Sequence, residues 1–197
     1  MIKAIIFDLN GVFMLSPKLS DRFQEDFNIS KGVFLPALSE IMDKVRKPNA
    51  EPAFNYWQPH LEEWGISFDE KQFWDYWFNA EKESPEMIAL AKELKQKGIK
   101  VIILSNNFKE RSNFYNEYPA LNQAVDKLYY SWQTGFVKPD PAAWQYVLDT
   151  NDLKPEECIY FDDQDKNLKA AERLGIETHM FVDALTTKEI LKEQKVL

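Results

Sequence analysis

The chain has 197 residues, a formal net charge of -8, and apolar side chains at 45% of its positions. This length holds one domain with a substantial core, or a core domain with a smaller insert. The negative charge argues against a nucleic-acid surface, which requires clustered lysine and arginine, and no apolar run approaches the length of a membrane span. We therefore expect neither nucleic acid nor membrane as a partner, and the oligomeric state stays open.

The single cysteine, Cys158, lies in the apolar run CIYF, where packing is its ordinary role. A framework of disulfides is therefore not expected, which favours a reducing, cytoplasmic location. Only four apolar residues separate Lys3 from Asp8, and this is too few for a signal peptide.

The predicted elements differ in kind along the chain. An apolar run at residues 4–7, AIIF, predicts a buried strand that ends at Asp8. Between about residues 16 and 83 the apolar residues recur at helical spacing, with no strand-like run. After Ser84, a candidate N-cap, helical and strand patterns alternate. Helices are predicted at 85–98, 107–118, 141–151, 165–175 and about 187–195, and strands at 99–104, 127–131, 158–161 and 178–182.

Continuous apolar strands separated by helices are typical of a parallel sheet that is covered on both faces. We therefore predict an α/β protein with a Rossmann-like parallel sheet core and helices on both faces. Residues 1–15 and 84–197 are predicted to form this core. Residues 16–83 are predicted to form a small α-helical cap over the strand ends.

Polar residues follow four of the predicted strands. In an open parallel sheet, functional residues collect where the strands end. Taken singly, each has an ordinary alternative as a turn residue, a helix cap or a solvated lysine. Together they indicate one site, because clustered carboxylates need a cation, and Mg²⁺ suits carboxylates combined with phosphate. The residues are Asp8, the pair Ser105 and Asn106, Lys138, and the pair Asp162 and Asp163.

Four motifs at these strand ends resemble those of the haloacid dehalogenase-like hydrolase superfamily, in its phosphatase branch with a small helical cap of the C1 type. They are FDLNGV at 7–12, LSNN at 104–107, the lysine of GFVKPDP at 135–141, and YFDDQDKN at 160–167. The resemblance covers nearly the whole chain. Any one motif alone is a weak signal, whereas four in the right order and spacing are specific.

The resemblance implies a Mg²⁺-dependent phosphatase that works through an aspartyl-phosphate. Asp8 would be the nucleophile that takes the phosphoryl group. The same Asp8 carboxylate, the backbone carbonyl of Asn10 and the side chain of Asp162 would hold Mg²⁺.

The resemblance also implies how the phosphoryl group is held. Ser105 and the backbone amide of Asn106 would bind phosphoryl oxygens. Lys138 would neutralise charge between the nucleophile and the phosphate, because charge gathers on the phosphoryl oxygens in the transition state. Asp163 would contact neither the phosphoryl group nor the metal directly, and would hold Lys138 in position.

Position 10 departs from the family pattern. The resemblance implies an aspartate there, which protonates the leaving group and then activates water, and Asn10 cannot transfer a proton. Loss of a general acid-base group commonly removes about two to four orders of magnitude in rate. Three explanations stay open: a naturally poor phosphatase or a relative that binds a phosphorylated ligand or partner without turnover, a proton supplied by another group, or an isosteric Asp-to-Asn change introduced to trap a complex.

Dehalogenation is the less favoured activity within the superfamily. The resemblance implies that dehalogenases use no metal and carry an aromatic residue at position 10, whereas this chain has Asn10 and an acidic pair in the fourth motif. A cap restricts access, so we expect a small phosphorylated metabolite of the sugar phosphate or nucleotide type. The basic residues Lys44, Arg46 and Lys47 are most simply a solvated helix end, and alternatively contact a second anionic group of the substrate.

Overall fold

The computed structural model describes residues 1–197, which contain seven strands and eleven α-helices. The strands are β1 (Ala4–Phe7), β2 (Met14–Leu15), β3 (Lys82–Glu83), β4 (Lys100–Ser105), β5 (Lys127–Tyr130), β6 (Cys158–Asp162) and β7 (Glu177–Met180). Five of them form a parallel sheet in the order β5-β4-β1-β6-β7. Strand β1 is therefore central, with β4 on one side and β6 on the other.

The helices divide between the sheet and the segment that precedes β3. That segment holds α1 (Leu19–Phe27), α2 (Lys31–Val45), α3 (Ala53–Glu63) and α4 (Glu70–Phe78). The remaining helices are α5 (Pro85–Gln96), α6 (Lys109–Tyr115), α7 (Pro119–Ala124), α8 (Ser131–Thr134), α9 (Ala142–Asn151), α10 (Asp165–Glu172) and α11 (Ala184–Glu193). None of the helices has the length and apolar character needed to cross a bilayer.

The sheet is covered on both faces, as its continuous apolar strands predict. Successive side chains of a strand point to opposite faces. In β1, Ile5 and Phe7 join one buried cluster, while Ala4 and Ile6 join another. All four side chains are fully buried. The predicted α/β fold with a parallel, Rossmann-like sheet is confirmed.

A third buried cluster lies among helices α1 to α4 and is largely aromatic. Trp57 and Phe73 are fully buried within it, with ring centroids 5.1 Å apart. Most of the aromatic residues of this segment therefore form the core of a helical bundle, which is the ordinary interpretation of such a sequence. Phe108, which follows β4, belongs to the same cluster and links the bundle to the sheet domain.

The expectation of no strand between residues 16 and 83 is wrong at its end. Strand β3, at Lys82–Glu83, pairs antiparallel with β2, at Met14–Leu15. Two-residue strands carry no detectable period, so the sequence could not show them. The pair joins the chain segments on either side of the helical segment. The division into a core and a cap at residues 16–83 stays a proposal.

Two short helices were also absent from the predicted elements. Helix α7 begins at Pro119 and has six residues, and α8 occupies four residues of the predicted loop after β5. Both are too short for apolar residues to recur at helical spacing. Helix α5 begins where the sequence predicts, because the Ser84 hydroxyl accepts a hydrogen bond from the Met87 amide at 3.3 Å.

Candidate active site

Three polar side chains meet where the central strands end. Asp8 follows β1, while Ser105 and Asp162 end its two neighbours, β4 and β6. Each is at most 5% exposed. A fourth, Lys138, comes from the loop after α8. Its amino group lies 2.9 Å from Asp8 Oδ1 and 2.7 Å from Asp162 Oδ2.

Lys138 is held by its backbone as well as by its ammonium group. The side-chain amide of Asn106 donates to the Lys138 carbonyl at 2.7 Å, and the Lys138 amide donates to Asn106 Oδ1 at 2.8 Å. Burial lowers the pKa of Lys138. The nearby carboxylates of Asp8 and Asp162 raise this pKa by more than burial lowers it, so the net shift is upward. The amino group is therefore a fixed positive charge beside Asp8.

Asp162 is the carboxylate that holds Lys138. Besides Lys138, it accepts hydrogen bonds from the Gln164 amide at 2.8 Å, from Asn167 Nδ2 at 3.0 and 3.1 Å, and from the Tyr160 hydroxyl. These donors occupy both oxygens of a fully buried side chain. Asp162 thus takes the position beside Lys138 that the resemblance implied for Asp163.

Asp163 forms no ion pair and is exposed, and it lies next to Asp8. Carboxylate oxygens of Asp8, Asp162 and Asp163 all lie within 4.8 Å of one another. Gly11 leaves space for Asp163, because a Cβ at position 11 would lie 2.9 Å from Asp163 Oδ2. Its φ of +88° is also a conformation that favours glycine. Gly11 therefore meets both a conformational and a steric requirement.

The acidic cluster fits a divalent cation. Burial raises the pKa of Asp8, with the charge of Asp162 adding to the effect and Lys138 opposing it. Burial and the neighbouring Asp162 likewise raise the pKa of Asp163. A bound cation would favour the ionised form of these carboxyl groups and offset their mutual repulsion. A cluster of oxygen ligands suits Mg²⁺.

The hydroxyl of Ser105 is buried and has no hydrogen-bond partner. A buried polar atom without a partner needs an explanation, and a ligand is one such explanation where the atom lies beside charged groups. Ser105 ends β4, beside the strand that delivers Asp8. The hydroxyl is therefore a free donor at the same edge of the sheet as Asp8.

Asn10 belongs to a directed chain of hydrogen bonds. Its Nδ2 donates to the Tyr115 hydroxyl at 2.6 Å, and that hydroxyl donates to Glu81. The Arg111 guanidinium completes the chain with Nε and Nη2 at 2.8 and 2.7 Å from Glu81 Oε1. Burial raises the pKa of Tyr115, so the phenol keeps its proton. In this arrangement Asn10 acts as a donor, and the Tyr115 hydroxyl is both an acceptor and a donor.

Several of these residues were missed in the sequence. Tyr160 and Asn167 lie inside the fourth motif, and only their contacts with Asp162 reveal their function. Glu81, Arg111 and Tyr115 lie outside every motif, and no spacing in the sequence connects them to position 10. The sequence carries no signal for such a network, because its members come from three separate segments.

The parallel sheet, the acidic strand ends and the paired lysine define an α/β protein with an acidic site where the central strands end. The family model described as a haloacid dehalogenase-like hydrolase matches residues 2–175. The chain belongs to this family.

Named relatives include enzymes of two kinds. The chain is 28% identical over 218 residues to bifunctional epoxide hydrolase 2 of Sus scrofa, with 98% of this chain and 38% of that protein covered. It therefore spans well under half the length of that relative. It is also 35% identical over 65 residues to D-ribitol-5-phosphate phosphatase of Bacteroides thetaiotaomicron, covering 33% of this chain and 32% of that protein.

Solved structures share the fold. The HAD family enzyme bt-2542 of Bacteroides thetaiotaomicron superimposes with a TM-score of 0.77 at 24% identity, covering 91% of this chain and 93% of the other. The same enzyme in complex with magnesium and inorganic phosphate gives a TM-score of 0.76 at 23% identity, with 91% and 94% covered. An L-2-haloacid dehalogenase, PA0810, also matches, with a TM-score of 0.65 at 20% identity over 90% and 83%.

Proposed function

We propose that the protein is a Mg²⁺-dependent phosphoric monoester hydrolase that acts on a small phosphorylated metabolite through an aspartyl-phosphate. The observation that carries this proposal is the buried Asp8–Lys138 pair, at 2.9 Å, beside the unpartnered hydroxyl of Ser105. A nucleophile, a fixed cation and a free donor are the groups that phosphoryl transfer requires. A relative named D-ribitol-5-phosphate phosphatase, and a structural neighbour solved in complex with magnesium and inorganic phosphate, support the same chemistry.

In the first half-reaction, an oxygen of Asp8 attacks phosphorus. A bond forms between that oxygen and phosphorus, and the bond to the leaving oxygen breaks with its electron pair. Lys138 stabilises the charge on the phosphoryl oxygens, and the Ser105 hydroxyl and the Asn106 amide donate hydrogen bonds to them. The side chain of Asn106 is already engaged with the Lys138 backbone, so only its amide is available.

The residues that would hold Mg²⁺ are Asp8, Asp163 and the backbone carbonyl of Asn10. We propose Asp163 in place of Asp162, because the oxygens of Asp162 already accept hydrogen bonds from Lys138 and its other neighbours. Asp163 has no cationic partner and stays within 4.8 Å of Asp8. The cation would supply charge neutralisation for the transferring phosphoryl group.

Asn10 limits the rate in both half-reactions, because an amide cannot protonate a leaving alkoxide or deprotonate water. A good leaving group, such as an aryl oxide, needs less protonation and suffers less in the first step. The second step, hydrolysis of the aspartyl-phosphate, is slowed for every substrate. The wild-type chain is thus proposed to be a weakened phosphatase.

A second candidate function, binding of a phosphorylated ligand without turnover, is favoured by the contacts of Asn10. Its amide donates to Tyr115, and Tyr115 gives its one proton to Glu81. An ionised aspartate at position 10 would leave two carboxylates competing for that proton. An amide at position 10 avoids that competition.

The experiment that separates these functions follows phosphate release and phospho-enzyme formation together. The wild-type chain and Asp8→Asn are incubated with Mg²⁺ and p-nitrophenyl phosphate, and the protein is analysed by mass spectrometry after acid quenching. A phosphatase releases phosphate and carries a phosphoryl group on Asp8, and the variant does neither. Saturable binding of phosphorylated metabolites without either product would identify the second function.

We propose a cytoplasmic location, supported by the buried thiol of Cys158 in β6.

A further inference from the structure

Glu81 lies in the segment between α4 and β3, and its carboxylate is fully buried. Its Oε1 pairs with the guanidinium of Arg111, and its Oε2 accepts a hydrogen bond from the Tyr115 hydroxyl. Arg111 lies beside two aromatic rings, with its guanidinium carbon 5.5 Å from the ring centroid of Trp77 and 5.7 Å from that of Tyr115. The carboxylate and its two partners therefore form a buried, closely packed unit.

Stability alone is a weak reason for a buried ion pair, because the cost of removing two charges from water can exceed their attraction. The pair does give the hydrogen bonds a direction. Arg111 can only donate, and ionised Glu81 can only accept. A hydrogen bond to an ionised acceptor is about twice as strong as one between neutral groups, so the Tyr115 proton points to Glu81. The lone pairs of the Tyr115 oxygen are then left for a donor.

That direction decides how the Asn10 amide is turned. Its nitrogen donates to the Tyr115 hydroxyl at 2.6 Å, and its oxygen lies 3.5 Å from the side-chain nitrogen of Asn107. Asn107 comes two residues after Ser105, which ends β4. The Asn10 side chain thus links the segment after β1 to the segment after β4. These are the segments that carry the proposed nucleophile and the proposed phosphoryl donors.

One hydrogen of the Asn10 amide has no partner in the protein. The nitrogen carries two hydrogens, and the Tyr115 hydroxyl accepts one of them. Position 10 is partly exposed, whereas Tyr115 is fully buried. Of these two residues, Asn10 is therefore the one that a bound molecule can reach, while Tyr115 supports it from the interior.

We propose that Tyr115 is a positioning residue, which turns the Asn10 amide so that its remaining N–H donates to the leaving oxygen of the phosphate monoester. This deepens the proposed function and rests on it. The amide transfers no proton. The bond between phosphorus and the leaving oxygen breaks with its electron pair on that oxygen, which takes a proton from solvent after release. The hydrogen bond stabilises the developing charge, so it contributes more for a poor leaving group than for a good one.

The test compares phenyl phosphate with p-nitrophenyl phosphate, which differ by one nitro group that makes the aryl oxide a better leaving group. The measured quantity is kcat/KM, which covers the steps up to release of the aryl oxide. Tyr115→Phe keeps the ring and removes the hydroxyl that holds the Asn10 amide. We expect kcat/KM to fall about tenfold for phenyl phosphate, the effect of one lost hydrogen bond, and to fall less for p-nitrophenyl phosphate.

A double-mutant cycle separates positioning from a general structural effect. Asn10→Ala removes the amide and keeps the backbone carbonyl of position 10. In that background, Tyr115→Phe should change kcat/KM by less than about twofold, because the phenol has no amide left to hold. A loss in the Asn10→Ala background as large as in the wild type would overturn the proposal. Equal losses for the two esters in Tyr115→Phe would also overturn it.

Tyr129→Phe is the matched control. The Tyr129 hydroxyl, on β5, also accepts a hydrogen bond from an asparagine amide, at 3.0 Å from Asn151 Nδ2. Its removal should keep kcat/KM for both esters within about twofold of the wild type. A loss as large as that of Tyr115→Phe would show that removing any such hydroxyl lowers activity, and would contradict a specific effect on Asn10.

A spectroscopic arm keeps this test separate from the test of phosphatase activity. In ¹⁵N-labelled protein, the side-chain amide signals of Asn10 are assigned by their absence from Asn10→Ala. Their hydrogens should exchange with solvent about tenfold faster in Tyr115→Phe, because the acceptor is gone. If the wild type hydrolyses neither ester, the proposed function fails, while faster exchange still supports the hold of Tyr115 on the amide. Equal exchange rates in the wild type and Tyr115→Phe would contradict that hold whether or not turnover occurs.

Discussion

The amino group of Lys138 lies 2.9 Å from Asp8 Oδ1, although 130 residues separate the two in the sequence. The parallel sheet makes this possible, because β1 and β5 end at the same edge and Lys138 lies in the segment that follows β5 and α8. The pair is almost fully buried, and Asp162 contacts the same amino group at 2.7 Å. Two carboxylates and one ammonium leave a net negative charge, which a bound cation would offset.

Removing Lys138 should both inactivate and destabilise the protein. In Lys138→Met, the buried carboxylates of Asp8 and Asp162 lose their common partner. We expect a decrease in the free energy of unfolding of about 3–5 kcal/mol, the usual effect of breaking a buried pair. Chemical denaturation measures this change. Lys166→Met, at an exposed position of α10, is the matched control, and a similar loss there would show that the effect is not specific to the pair.

Asp163 and Asp162 should respond differently to substitution. Asp163→Asn should abolish the rise in melting temperature that Mg²⁺ produces, with little effect on the protein without metal. Asp162→Asn should destabilise the protein itself, because Lys138, Tyr160 and Asn167 all donate to this carboxylate. Thermal unfolding with and without Mg²⁺ distinguishes the two. If Mg²⁺ raised the melting temperature of Asp163→Asn as much as that of the unsubstituted protein, Asp162 rather than Asp163 would be the metal ligand.

The stabilising effect of Mg²⁺ should grow as the pH rises. Burial raises the pKa of Asp8 and of Asp163 above 3.8. A carboxyl whose pKa is higher in the folded than in the unfolded protein stabilises the fold when protonated, and this contribution is lost as the pH rises through the folded pKa. Mg²⁺ binds the ionised form and offsets that loss.

The melting temperature is therefore measured against pH with Mg²⁺ and with EDTA. We expect the two curves to converge in acid, where protons displace the metal, and to separate towards neutral pH. Asp163→Asn should flatten the difference. Curves that diverge in acid instead would show that the carboxylates near Asp8 do not bind the ion.

Replacing Asn10 by aspartate should increase turnover and disturb the surrounding hydrogen bonds. We expect Asn10→Asp to raise turnover of sugar phosphates by about 10²-fold or more, with a smaller gain in the first step for aryl phosphates. The new carboxylate meets the Tyr115 hydroxyl, whose proton Glu81 already accepts, so stability at neutral pH should fall. Equal turnover by the wild type and Asn10→Asp would mean that the proton comes from another group.

The fold could be predicted because its signals are local and repeated. The apolar runs that became β1, β4 and β6 are continuous, and a residue with a charged or hydroxyl side chain stands at the end of each. Four motifs in a fixed order then identified the family. Short elements such as β3 and α7 were out of reach, because two to six residues do not display a period.

The division of tasks between Asp162 and Asp163 could not be predicted. The two side chains are adjacent in the sequence and identical in chemistry. Successive side chains of a strand point in opposite directions, and this direction decides which aspartate is buried. Asp162 ends β6 at 0% exposure and meets Lys138, whereas Asp163 lies beyond the strand. The contacts of Asn10 with Tyr115 and of Tyr115 with Glu81 likewise depend on tertiary packing alone.

The central claim is that Asp8 takes a phosphoryl group from a small phosphate monoester. The most direct measurement is mass spectrometry of the acid-quenched protein after incubation with Mg²⁺ and p-nitrophenyl phosphate, whose aryl oxide leaving group needs the least protonation in the first step. The account predicts a peptide containing Asp8 that gains the mass of one phosphoryl group, and accumulates because Asn10 slows its hydrolysis. This modified peptide should be absent from Asp8→Asn. Release of phosphate by the wild type with no modified peptide at any quench time, or equal release by Asp8→Asn, would contradict the account.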